Sequence, residues 1–129
     1  MQLENLPDII QGGMGIGVSG WPLARAVAVQ GQLGVVSGTA LDNVLIRRLQ
    51  DGDAGGHVRR AMEAFPVPAV ARETLDRFFK PEGREEGEPY ALAPMYREVV
   101  DGFRNQLTVL ANFVEVWLAK EGHSGPVGI

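Results

Sequence analysis

The sequence predicts an α/β protein with parallel strands, on three observations. Short apolar runs at 8–11, 33–37 and 125–129 lack a clear polar–apolar alternation, the pattern of strands covered on both faces. The segments between them place apolar residues every three or four positions, the period of a helix. Glycine or proline punctuates each junction. The predicted order is strand, helix, strand, a long helical region, strand, which suits a parallel sheet with helical crossovers.

The first strand, 8–11, is closed by Gly12 and Gly13. Proline suits the first helical position, so Trp21-Pro22 opens a helix with Leu23, Ala26, Val27 and Gln30 at helical spacing, and Gly31 stops it. The valine-rich run 33–37 is the second strand. Thr39 or Asp42 can cap the next helix, whose face carries Leu41, Val44, Leu45 and Leu49. The run 51–56 interrupts it, and helical spacing resumes at Val58, Ala61, Met62 and Phe65. Pro66 and Pro68 break the pattern again, a short helix follows over 70–79, and the charged segment 80–89 reads as a solvated loop. The longest helix is expected over 94–121, with Val99, Phe103, Leu107, Leu110, Val114 and Trp117 in one stripe. Those aromatics, with Phe65, Phe78 and Phe79, are expected in the core. Gly122 stops the helix ahead of the third strand.

Composition narrows the class. A chain of 129 residues, 45% hydrophobic, suits a single domain with a modest core. Its net charge of −4 argues against nucleic acid as a partner, because a phosphate-tracking surface carries a basic excess. Without cysteine there is no disulfide, thiolate metal site or thiol nucleophile. The N-terminus lacks the basic flank and apolar run of a secretory signal, and no stretch approaches the roughly 20 apolar residues that span a bilayer. The expectation is a soluble cytoplasmic protein with no membrane partner.

Gly12, Gly13, Gly15, Gly17 and Gly20 crowd the loop after the first strand. Each glycine in a folded element costs roughly 0.5–1 kcal/mol relative to alanine, so the cluster needs a reason. Either the backbone turns through positive φ, or something large approaches the peptide groups. A βα loop cradling a cofactor does both, and a flexible loop without a ligand is the alternative. A positive φ is expected at one or more of residues 12–15.

Gly15, Gly17 and Gly20 also spell G-x-G-x-x-G, with Asp42 about 20 residues further on, as in a dinucleotide-binding Rossmann unit. Two details oppose that reading. Gln11-Gly12-Gly13 ends the strand before the first glycine of the motif, and Pro22 starts the helix beyond the last one. The other reading makes 9–15, IIQGGMG, the end of a barrel strand. In (β/α)8 barrels the ligand lies in the loops at the carboxyl ends of the strands, where a glycine-methionine turn can lie against a flat ring.

On residues 7–40, PDIIQGGMGIGVSGWPLARAVAVQGQLGVVSGTA, the sequence resembles the opening of the nitronate monooxygenase (2-nitropropane dioxygenase-like) family, a group that also holds FMN-dependent enoyl reductases. GPVGI at 125–129 resembles the family's third strand, and 41–124 resembles it only loosely, as a helical insertion. The resemblance implies the N-terminal part of a TIM barrel, incomplete in this chain, in one partial domain: a βαβ start over 1–40, a helical region over 41–124 and a third strand begun at 125–129. It implies noncovalent FMN, held by Gly12, Gly13, Met14 and Gly15 and faced by Ser37, Gly38 and Thr39, with a nitronate or similar small molecule as substrate.

A full barrel runs to roughly 250 residues. The family's asparagine after the third strand, its phosphate-binding loops and its histidine base have no counterpart here. His57 and His123 lie at helix boundaries and read as loop or cap residues, and Glu85-Glu86 lies in the charged loop. No catalytic residue is assigned, and the chain alone is expected to be inactive. A second class stays open: a helix-rich, non-catalytic unit that acts by self-association through the open edges of a partial sheet.

Overall fold

The computed structural model describes residues 6–95, 98 and 101–129. They form an α/β structure with a three-stranded parallel sheet and five α-helices. The chain segregates into two compact units, Met1–Thr39 with Glu115–Ile129, and Ala40–Val114.

The first unit carries β1 (Ile10–Gln11), α1 (Trp21–Ala28), β2 (Leu33–Val35), β3 (Val127–Gly128) and the end of α5 (Gly102–Lys120). Strand order is β1-β2-β3, with Ile10 beside Leu33 and Gly34 beside Val127, both pairings parallel as predicted. Pairing extends past the short ladders: the Leu33 amide donates to Ile9 O at 3.1 Å and the Val36 amide to Gly128 O at 2.8 Å. The Gln32 side chain also accepts from the Ile9 amide at 2.8 Å.

The face that α1 buries differs from the one its larger residues suggested. Ala24 and Ala28 are fully buried, whereas Leu23, Ala26 and Gln30 are exposed and Val27 is half-buried. The cause is a backbone-to-backbone approach. A Cβ on Gly34 of β2 would fall well inside van der Waals contact with the Ala24 carbonyl, and one on Gly125 would do the same at the Ala28 carbonyl. Only small residues fit between helix and sheet at that separation, so the longer side chains splay outward. The expectation that β2 is covered on both faces also fails. Gly34 and Val36 are buried, but Leu33 and Val35 on the face away from α1 are half-buried.

His123 closes α5 as a cap. Its Nε2 bonds Ala119 O at 2.6 Å and its Nδ1 accepts from the Gly125 amide at 3.0 Å, an arrangement satisfied by the neutral tautomer with Nε2–H. Arg25 reaches Glu121 O and Lys120 reaches Gly125 O, satisfying carbonyls around the same helix end.

The second unit packs α2 (Leu41–Gln50), a 3-10 turn (Ala54–Gly56), α3 (His57–Glu63), α4 (Pro68–Phe78) and the start of α5. Leu41, Leu45, Ile46, Leu49, Val58, Met62, Leu107, Leu110 and Val114 form its core. Neither Thr39 nor Asp42 caps α2. Ala40 stands at the cap in a left-handed conformation (φ 53°), and Asp42 is buried in an ion pair with Arg104. The run 51–56 does more than interrupt a helix. Asp53 turns back to accept from the Val58 and Arg59 amides, both at 3.0 Å, capping α3.

Helix α5 starts at Gly102, not 94, because Asp101 Oδ1 accepts from the Arg104 amide at 3.1 Å as an N-cap. Of the predicted stripe, Leu107, Leu110 and Val114 are buried and Phe103 and Trp117 half-buried; Val99 lies outside the described residues. Phe65 and Phe78 are core, and Phe79 is half-buried beneath Arg59, whose guanidinium lies 4.6 Å from the ring centroid. The charged loop is solvated but clipped. Lys80 pairs with Glu88 and holds its carboxyl below the usual glutamate range. The Arg47 and Arg84 guanidinia lie 5.1 Å and 3.6 Å from the Tyr90 ring centroid, and the Tyr90 hydroxyl donates to Asp51 at 2.7 Å.

Two stability measurements test this packing. Gly34→Ala should destabilise by about 3 kcal/mol or more, because backbone, not a movable side chain, occupies the space. Leu110→Ala should cost on the order of 2–5 kcal/mol, since the residue is fully buried. Denaturant unfolding reads both, and a loss under about 0.5 kcal/mol for either would contradict the contact described.

Candidate functional site

Parallel strands bring their carboxyl ends to one edge, where open α/β sheets and barrels place ligands. Here that edge is Gln11, Val35 and Gly128, and the turns leaving it hold every residue of the predicted site. Gly12, Gly13, Met14 and Gly15 follow β1 and are all exposed. Ser37, Gly38 and Thr39 follow β2, with Ser37 buried and the other two exposed. The turns are neighbours: a Cβ on Gly13 would stand 3.8 Å from Ser37 Cα, ordinary contact.

The backbone corrects one expectation. None of Gly12, Gly13 and Gly15 has positive φ; the left-handed residue is Gly17 (φ 73°). It occupies the third position of a turn closed by the Val18 amide on Gly15 O at 3.0 Å, where a type II turn demands it. Nor does packing within the chain require glycine at 12 or 15, since nothing lies within 4 Å of a Cβ built there. Around them Ile10, Met14, Ile16 and Val18 are 46–63% exposed. Residues 9–24 and 33–41 contain no ionisable side chain, so the turns after β1 and β2 form an uncharged, largely apolar, glycine-faced surface. Such a surface suits the face of a flat ring, and it offers no cationic side chain to a phosphate.

Three residues that the sequence reading passed over hold this edge. Gln11 Nε2 lies 2.6 Å from Gly12 O, 2.8 Å from Ser19 Oγ and 3.1 Å from Val35 O, so its two N–H bonds are shared among three acceptors. The buried Ser19 hydroxyl donates to Val35 O, and Ser19 O accepts from the Ser37 amide at 2.8 Å. Glu115, 2% exposed on α5, accepts from the Trp21 amide at 2.9 Å in the first turn of α1. A polar residue closing an apolar strand was the signal for Gln11. Glu115 lies so far along the chain from Trp21 that no local pattern announces it.

Glu115 also disposes of the dinucleotide motif. A Rossmann pyrophosphate sits at the first helix N-terminus, and here a carboxylate occupies it. Asp42, the motif's ribose residue, is spent on Arg104.

His57 and His123 stand at helix ends, and Glu85 and Glu86 are exposed in the charged loop. Among the described residues no group of three or more His, Asp or Glu side chains could hold a metal ion, and no helix is long and apolar enough to cross a membrane. The Glu115 cap yields a test by unfolding. Glu115→Leu should cost about 1–3 kcal/mol by removing the carboxylate that accepts from the Trp21 amide, and Glu115→Gln, which keeps an acceptor, markedly less. Equal losses would show that the carboxylate's charge, not its acceptor, matters.

Comparison of the chain with protein-family models, curated proteins and solved structures finds no match.

Proposed function

We propose that this unit is the opening of a (β/α)8 barrel of the nitronate monooxygenase type, an FMN-dependent oxidoreductase, with the flavin ring seated on the carboxyl edge of the sheet. The observation that supports the reading most is the glycine run. Gly12 and Gly15 answer neither a positive φ nor a crowded neighbour, so close approach by an external group is a reason for glycine that the fold itself does not supply. Gly12, Gly13 and Gly15 would lie against the ring, the exposed Met14 thioether would supply a soft apolar contact, and Ser37, Gly38 and Thr39 would form the adjoining turn. FMN bound there would supply the redox chemistry for an alkyl nitronate or, as in the related reductases, an enoyl substrate. The chain's own residues bind and orient the ring at this edge.

A closed barrel needs eight strands, and the described residues supply three. One wall covers one face of a ring, so affinity is expected to be weak, with no turnover of nitronates. Self-association is the competing reading, favoured by the exposure of Ile9, Ile10, Ile16, Val18 and Ile129 at 54–63%.

Titrating the protein into FMN while following flavin fluorescence, with sedimentation alongside, separates the two readings. Gly13→Ala should leave stability within about 1 kcal/mol, because a Cβ there meets only ordinary contacts, yet weaken FMN binding by about tenfold. FMN binding unchanged by Gly13→Ala, or absent from a monomeric wild-type protein, would remove the flavin reading. Concentration-dependent assembly without flavin binding would favour the competing one.

A further inference from the structure

The carboxyl edge contains an amide that is half unsatisfied. Gln11 Oε1 is buried with no hydrogen-bond partner among the described residues, while Nε2 faces three acceptors. The orientation is fixed by those acceptors. Turning the amide over would set its oxygen against the Gly12 and Val35 carbonyls. A buried acceptor without a partner is unfavourable, and a methionine or leucine of similar size would avoid it. The useful half of this side chain is therefore its N–H pair.

What that pair connects is specific. Gly12 O belongs to the turn after β1, Ser19 Oγ closes the same loop, and Val35 O ends β2. Ser19 continues the chain of bonds, its hydroxyl donating to Val35 O and its carbonyl accepting the Ser37 amide. We propose that Gln11 is the positioning residue of this edge, its amide locking the turn after β1 to the turn after β2 so that the two present a single ligand wall. The proposal rests on reading the edge as the ligand site, but the lock exists without a ligand and is measurable without one.

Two amides report on it, Val18 bonded to Gly15 O and Ser37 bonded to Ser19 O. Hydrogen exchange in wild type, Gln11→Met and Gln11→Glu tests the lock. Gln11→Met, which keeps the volume and loses the N–H pair, should lower protection at both amides by about fivefold to tenfold, with Leu110 in α5 unchanged. Gln11→Glu has the same shape in both protonation states. Ionised, it sets a carboxylate against two carbonyls and should loosen both turns. Protonated at low pH, its O–H donates again and protection should recover relative to wild type. Side-chain volume alone would produce no such pH profile. Ser37 protection untouched in Gln11→Met, pH-independent exchange in Gln11→Glu, or an equal loss at Leu110 would each overturn the lock. FMN titration of the same proteins separates the lock from the flavin reading. Wild type that ignores FMN while showing the exchange pattern sinks the flavin reading and leaves the lock standing. Wild type and Gln11→Met binding FMN equally well would overturn the positioning role.

Discussion

The geometry of the sheet-bearing unit depends on one close approach, the backbone of α1 laid directly on the sheet at Gly34 and on the adjoining chain at Gly125. Ala24 and Ala28 are the only helix residues that this separation buries, and their small size is the condition for it. Much of the unit follows. A helix held so near fixes β2 along its length, β2 in turn aligns β1 and β3 beside it, and parallel pairing then puts three carboxyl ends on one edge. Interiors packed to crystal-like density transmit such a constraint, because there is no slack to absorb a displaced methyl group.

Polar groups finish what that contact begins, and they act at the ends of elements. Glu115 satisfies the start of α1, His123 the end of α5, and Gln11 with Ser19 the carboxyl ends of β1 and β2. In the helical unit Asp53 and Asp101 do the same for α3 and α5. Backbone groups freed where a helix or ladder stops must find partners, and a short strand or helix has proportionally more of them. The glycine-methionine turn stands apart from this pattern. It is exposed, uncharged and apolar, and neither its conformation nor its packing accounts for glycine at 12 and 15. That mismatch between local need and residue choice is where a functional reading has its best support.

Much of this was legible beforehand. The parallel pairing of 8–11 with 33–37 could be read because valine-rich, non-alternating runs between helical segments have few other arrangements. The stripe Leu107, Leu110 and Val114 was readable from helical period alone. Legibility stopped where burial depended on a distant neighbour. Leu23 and Val27 are better core residues than Ala24 and Ala28 by any scale of hydrophobicity, yet the alanines are inside, because the sheet comes too near for anything larger. Asp42 looked like a cap and became half of a buried ion pair through Arg104 in α5.

The sequence by itself determined the class of structure, the order of its elements, and the position of a glycine-rich, uncharged turn after the first strand. These are properties of local pattern, since period, propensity and turn chemistry act over a few residues. Tertiary structure alone decided which face of α1 is buried, that Glu115 holds its first turn, and that Gln11 ties one βα turn to the next. Each of those depends on two segments far apart in the chain meeting at hydrogen-bond or van der Waals distance, and no local pattern encodes such a meeting.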